Sequence, residues 1–254
     1  MDFTLKIYTE LIRALKRSGY AFYTFEEWCE GKAQGRYVIL RHDVDLRAGH
    51  SVATARIEAE EGAKASYFFR IVPESNQPDK IRAIASLGHE VGYHYEDLSL
   101  FNGDTAKAYA HFQEQLAHFR QFYPVKTICM HGSPASKWDN RAIWKDFDYR
   151  NDGIIGEPYF DFLQPENNVS YLTDTARMWD GGRYNVRDKS DHASTVAVHS
   201  TQDLIAWLDT RPENNVLMIT THPQRWTDKR MEWIQEFILQ NLKNIIKAIL
   251  IKIR

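Results

Sequence analysis

The sequence predicts an α/β protein built on a parallel sheet or barrel. Two observations carry this. Short apolar runs alternate with segments of helical periodicity along the 254 residues, and such alternation implies parallel strands joined by right-handed crossovers. Four of the apolar runs also end alike, in a histidine or in a histidine with carboxylates, and parallel strands gather their C-terminal ends on one face.

The first twenty residues place Leu5, Tyr8, Ile12 and Leu15 at helical spacing, with Asp2 as a candidate cap and Gly19 as the stop. A short helix over Thr24 to Cys29 follows. Arg36 to Asp45 (RYVILRHDVD) reads as a buried strand, because an apolar run of this length bounded by polar residues fits no surface element. Leu46 to Glu61 reads as a helix, Lys64 to Arg70 as a strand, and Asp79 to Leu87 as a helix closed by Gly88. Glu90 to Tyr93 is a strand running into His94. Asp104 caps a helix carrying Phe112, Leu116, Phe119 and Tyr123 on one face, and Val125 to Met130 is a strand running into His131. The stretch from Gly132 to His199 is irregular and long for a loop, so short strands and a functional surface are expected there. Thr201 to Thr210 is a helix, Asn215 to Thr221 a strand running into His222, and Thr227 onward a long helix. Its stripe of Met231, Ile234, Ile238, Leu242, Ile245 and Ile249, with a basic end at Lys247, Lys252 and Arg254, packs on the barrel or forms a homodimer. No Ser/Gly-rich linker divides the chain, which reads as one domain over 1–254 with a helical extension over 1–30.

Hydrophobic content of 43% and charged content of 26% are those of an ordinary globular protein. A net charge of −2 gives no electrostatic case for nucleic acid or an acidic membrane. Cys29 and Cys129 form no CxxC pair, which argues for a reducing compartment and against a thiolate zinc site. The N-terminus lacks a signal peptide's apolar core and no window approaches a membrane span, so a cytoplasmic protein is expected. Aromatic content of 13% fits a large core or sugar-stacking surfaces.

Asp43 and Asp45 together, and His94, His131 and His222 singly, stand at the ends of four separate strands. Any one alone reads as a hydrogen-bonded structural residue; together they read as one site. Buried carboxylates are costly unless paired or metal-bound. Mixed imidazole and carboxylate ligands suit zinc or another divalent transition metal, and a catalytic site uses about three of them. Asp43 has a second reading, as the ion-pair partner of Arg41 or Arg47. His222 has one as a histidine packed beside Pro223, and His42 either tunes Asp43 or bonds the backbone. His89 reads as structural. His50, His111, His118, His192 and His199 take solvated or core roles by default.

RHDVD, GHEVGYHYEDL, HGSP and THP resemble the polysaccharide deacetylase superfamily, the NodB-homology or carbohydrate esterase family 4 group. The likeness is closer to deacetylase-like proteins of bacterial O-antigen gene clusters, which carry RHDVD, GYHYEDL, ICMHGSP and HPQRW in this order; it spans Arg36 to Trp226. The resemblance implies a distorted (β/α)7 barrel, with Asp43 as catalytic base, Asp45 and His94 as metal ligands and His222 as general acid. The second histidine of the family's His-x-x-x-His falls on Leu98, which cannot bind a metal. His131 is the preferred replacement, with Glu96 and then Asp97 behind it. The family's Arg-x-Pro arginine is then missing too, and Arg41 or Arg70 orients Asp43 instead.

The stretch Tyr171 to Asp188 mixes Arg177, Trp179, Arg183 and Arg187 with Asp174 and Asp180. It reads as a sugar-recognition lid, or as a surface hairpin turning at Gly181–Gly182; related proteins carry a similar TD-x-x-R-x-W-D stretch. Arg70, Arg177 and Trp179 are the substrate-binding candidates, and Ser133, Lys137, Trp138, Glu157 and Tyr159 are further lining residues. The expected activity is metal-dependent removal of an N-acyl group, acetyl in the first instance, from a nucleotide- or lipid-linked amino sugar. Zinc is the first choice of metal, then cobalt or nickel. A hydrolase of another C–N bond (deformylase, amidine or cyclic-amide hydrolase) and a catalytically silent sugar-binding protein are the alternatives.

Overall fold

A computed structural model describes residues 1–133, 135–180, 196 and 198–253, apart from the side chains of 247–253. Pro134, Gly181, Gly182, Arg183, Arg187, His192 and Arg254, and the side chains of Lys247, Ile249 and Lys252, lie outside what is described.

The strand that opens the motif-bearing region is β2 (Tyr37–Val44), and all eight of its residues are buried. A strand buried on both faces must be apolar throughout or must pair its polar groups, and β2 does the first over Tyr37–Leu40 and the second over Arg41–Asp43. It is central because parallel strands flank it on both sides: β3 (Ser66–Phe69) and β7 (Val216–Thr221). Beyond β3 lie β4 (Glu90–Tyr95) and β5 (Ile128–Met130); beyond β7 lies β6 (Ser170–Thr173), giving the order β5-β4-β3-β2-β7-β6. β1 (Ala21–Tyr23) pairs with the first half of β2. These seven strands, every pairing parallel, make an α/β half-barrel with helices around it, in keeping with the distorted barrel expected.

The N-terminal 1–30, expected as a helical extension, instead contributes β1 to the sheet; only α1 (Leu5–Arg17) and α2 (Phe25–Cys29) are helical. The cap of α1 is Thr4, whose hydroxyl accepts from Ile7 N at 3.2 Å. Asp2 accepts instead from Phe3 N and from Thr201 N, tying the N-terminus to α7 (Thr201–Asp209). The helix expected from Leu46 is α3 (Ala48–Glu60); Arg47 before it takes a left-handed φ of 51°. β4 runs two residues past its expected end, so His94 lies within a strand. The irregular middle carries β6 and short helical turns. The remaining helices are α4 (Pro78–Ser86), α5 (Asp97–Leu100), α6 (Thr105–Phe119) and α8 (Arg230–Ile253). Among the described residues no helix is long and apolar enough to cross a membrane.

Side chains alternate across a strand, so His42 faces away from Arg41 and Asp43. It meets Glu58 of α3, with Nε2 to Oε1 at 2.6 Å, and its Nδ1 lies 2.6 Å from Thr221 Oγ1. Glu58 is wholly buried and also accepts from the hydroxyls of Tyr8 and, at 2.6 Å, Tyr67. Burial alone would push this carboxyl up. The charge and hydrogen bond of His42, with His89 and Tyr67, outweigh burial and hold it below its ordinary 4.5. The stability this contributes is present above the ordinary value and is lost as pH falls through the folded-state one. The network pins α1 and α3 to the back of β2 and β3.

Glu58→Ala leaves His42 buried without its carboxylate, so it should lower the unfolding free energy by about 3–5 kcal/mol in urea titration. A loss below about 1 kcal/mol would show that the network contributes no more than an exposed pair.

Candidate active site

The C-terminal ends of β2, β4, β5, β6 and β7 meet at one edge of the sheet. Arg41 and Asp43, two apart on β2, share a face there. The guanidinium grips the carboxylate through both oxygens, Nε to Oδ1 at 2.8 Å and Nη2 to Oδ2 at 2.6 Å, with both residues at 3% exposure or less. Arg41 is itself held by Tyr159, whose hydroxyl lies 3.1 Å from Nη1. Burial would raise the Asp43 carboxyl; the charge of Arg41 and its two bonds prevail and hold it well below the usual range. Asp43 is therefore ionised at neutral pH and fixed in orientation. Arg41, rather than Arg70, orients it.

Asp45, just past the strand end, is held differently. Its Oδ2 receives one long contact from Gln224 Nε2 at 3.4 Å. Its Oδ1 is buried and accepts no hydrogen bond among the described residues. Two imidazole nitrogens face that oxygen, His94 Nε2 at 3.8 Å and His131 Nε2 at 3.5 Å. Each ring is tied from behind. His94 Nδ1 donates to the carbonyl of Cys129 at 2.9 Å, which leaves a lone pair on Nε2 in the neutral ring. Burial drives the His94 imidazole down to about 4 despite the nearby Asp43, so it is neutral at pH 7. His131 Nδ1 donates to Glu96 at 2.9 Å, and Arg70 clamps Glu96 with two bonds of 2.8 Å. A carboxylate behind a histidine is the usual way to aim a ligand nitrogen.

The ligand atoms of Asp45, His94 and His131 all lie within 4.8 Å of one another. An orphaned buried carboxylate oxygen facing two aimed imidazole nitrogens fits a divalent cation with about three protein ligands. Asp43, His94 and Cys129 approach one another similarly, but Arg41 occupies both oxygens of Asp43. Leu98 is core, at 2% exposure. Glu96 is engaged with Arg70 and His131. Asp97 is fully buried and takes hydrogen bonds from Tyr93 and, at 2.5 Å, from His111.

His222, at the end of β7, stands across from the triad with Nε2 at 4.0 Å from Asp45 Oδ2. Its Nδ1 donates to Asp174 Oδ1 at 2.6 Å. Asp174, directly after β6, is wholly buried and receives Arg225 Nη1 at 2.6 Å and Trp226 Nε1 at 2.9 Å. Burial and Arg225 oppose protonation of His222; the charge and hydrogen bond of Asp174, with Asp45, outweigh them and raise its pKa. The sequence reading gave Asp174 no role. The signal was there, since it ends an apolar run as the histidines do.

The structure thus brings Asp43, Asp45, His94, His131 and His222 together, and it does not bring Arg177 or Trp179 to them. Trp179 is buried at 6% exposure and donates its indole N–H to Thr201 at 2.9 Å. Arg177 lies over the rings of Phe3 and Trp233, at 4.9 and 4.5 Å, and burial lowers its pKa to about 10. Arg177 packs beneath α8, and Trp179 packs against Trp226. Arg70, the third binding candidate, is spent on Glu96. Of the lining residues, Glu157 is buried and caps the turn Pro158–Phe162; burial raises its pKa to about 7.

No protein-family model matches the chain, and no curated protein matches it by sequence. Among solved structures, the chain is similar to that of a CE4 esterase from Streptococcus mutans, with 15% identity, a TM-score of 0.47 and coverage of 89% of each chain.

Proposed function

We propose that the protein is a metal-dependent hydrolase that removes an N-acyl group, acetyl in the first instance, from an amino sugar. The observation that carries this reading is Asp45 Oδ1, buried, without a hydrogen bond among the described residues, and faced by two histidine nitrogens whose opposite nitrogens are tied down. Asp45, His94 and His131 would hold the cation, zinc before cobalt or nickel. A divalent ion there supplies Lewis acidity, lowering the pKa of water and polarising the acyl oxygen.

The chain's own residues do the rest. Asp43 accepts a proton from the attacking water, and Arg41 keeps the carboxylate ionised and aimed. Water oxygen bonds to the acyl carbon and the C–N bond breaks. His222, protonated with the help of Asp174, gives its Nε2 proton to the departing amine. The products are a carboxylate and a free amino sugar. The substrates this suits are cytoplasmic and nucleotide- or lipid-linked, as in assembly of a surface polysaccharide such as an O-antigen.

Three outcomes test the reading. Zinc loading should give about one equivalent per chain; Asp45→Ala should abolish binding, and Glu96→Gln should weaken it about 10–100-fold through His131. Metal analysis at less than about a tenth of an equivalent would favour a silent sugar-binding protein. Asp43→Asn should keep the metal and slow acetate release from N-acetylated nucleotide sugars about 10²–10⁴-fold; unchanged rates would remove Asp43 from the chemistry. Because Asp174 raises the His222 pKa, Asp174→Asn should move the alkaline limb of kcat to lower pH. An unmoved limb would assign the leaving-group proton to another residue.

A further inference from the structure

Of the two candidate ligand histidines, His131 has the less regular backbone beneath it. His94 lies inside β4, which is bonded to β3 on one side and to β5 on the other. His131 follows β5, a three-residue strand at the edge of the sheet, and its N–H continues that ladder to Tyr95 O at 2.9 Å. The chain then leaves the sheet, and Ser133 takes a left-handed φ of 36°, which residues with a side chain rarely adopt. A ligand nitrogen has to be held to within about 0.5 Å. Glu96 behind the ring fixes its rotation, but something must also fix the backbone from which the ring hangs.

Asn140 supplies that hold. It is fully buried and lies nine residues along from His131. Its Nδ2 donates to the His131 carbonyl at 2.7 Å and to Ser133 Oγ at 3.2 Å, while its Oδ1 accepts from Ser99 N in α5 at 2.9 Å. The His131 carbonyl can only accept and the Ser99 N–H can only donate, so the carboxamide can face only one way. Ser133 Oγ in turn lies 3.0 Å from His131 Nδ1 and 3.4 Å from Glu96 Oε2. One side chain thus joins the carbonyl of His131, the hydroxyl beside its ring and the helix that follows β4. We propose that Asn140 is the positioning residue of His131, fixing its backbone so that Nε2 meets Asp45 Oδ1. The inference rests on the hydrolase reading, which makes His131 a metal ligand.

Zinc affinity and histidine NMR of the full chain test it. Asn140→Asp keeps the acceptor for Ser99 N and removes both donors; Asn140→Ala removes the carboxamide without adding a charge. Either variant should bind zinc at least about tenfold more weakly than the wild type. In the metal-free protein the His131 imidazole should give one set of resonances in the wild type and broadened or doubled ones in the variants. His118, which is bonded to Asn76 instead, should keep its own. Unchanged zinc affinity or an unmoved His131 signal in a folded variant would overturn the proposal. So would failure of both variants to fold by circular dichroism, which would make Asn140 a structural residue. The NMR comparison needs no metal: a wild type that takes up no zinc overturns the hydrolase reading, and the His131 signals still decide the role of Asn140.

Discussion

Two carboxylates lie within three residues of each other at the buried edge of one sheet, and an unpaired buried charge costs several kcal/mol. The rest of the site follows from how each is compensated. Arg41 saturates Asp43 from the same strand face, with two hydrogen bonds. Among the described residues no arginine bonds the open oxygen of Asp45; the imidazole nitrogens of His94 and His131 face it, and His222 stands near the other oxygen. One aspartate is thereby a fixed anion, and the other keeps a buried oxygen without a hydrogen bond among the described residues. That asymmetry allows two neighbouring acids to hold different roles.

The strand-end histidines were legible because apolar runs give way abruptly to polar residues, and parallel topology turns that pattern into proximity. The partners behind them were not. Asp174 sits after the four-residue β6 in a stretch whose local pattern is weak. Arg70 is distant in sequence from the Glu96 it clamps, and only the fold makes them neighbours. Arg177 and Trp179 differ from the histidines: Trp and Arg in a loop-rich stretch suggest a sugar surface, and the structure packs Arg177 against aromatic rings beneath α8 and buries Trp179 beside Trp226. Composition marks residues able to bind sugars, but burial decides whether they are available to do so.

A net charge averages over surfaces that are physically separate. The cationic C-terminal stretch disappears into a slightly acidic total. Helix α8 packs on Thr175–Arg177 and on Pro223–Arg225, the turn that follows His222. Helix α8 is thus mechanically close to the Asp174–His222 pair.

The alternation along β2 has a consequence for how this chain can vary. Arg41 and Asp43 serve one face while His42, between them, serves the Glu58 network on the other. Inserting or deleting one residue in the strand would swap the two sets, stranding a guanidinium among tyrosines and an imidazole among carboxylates. Each network therefore acts as a gauge for the other, and the strand tolerates exchange of single residues far better than any change in its length.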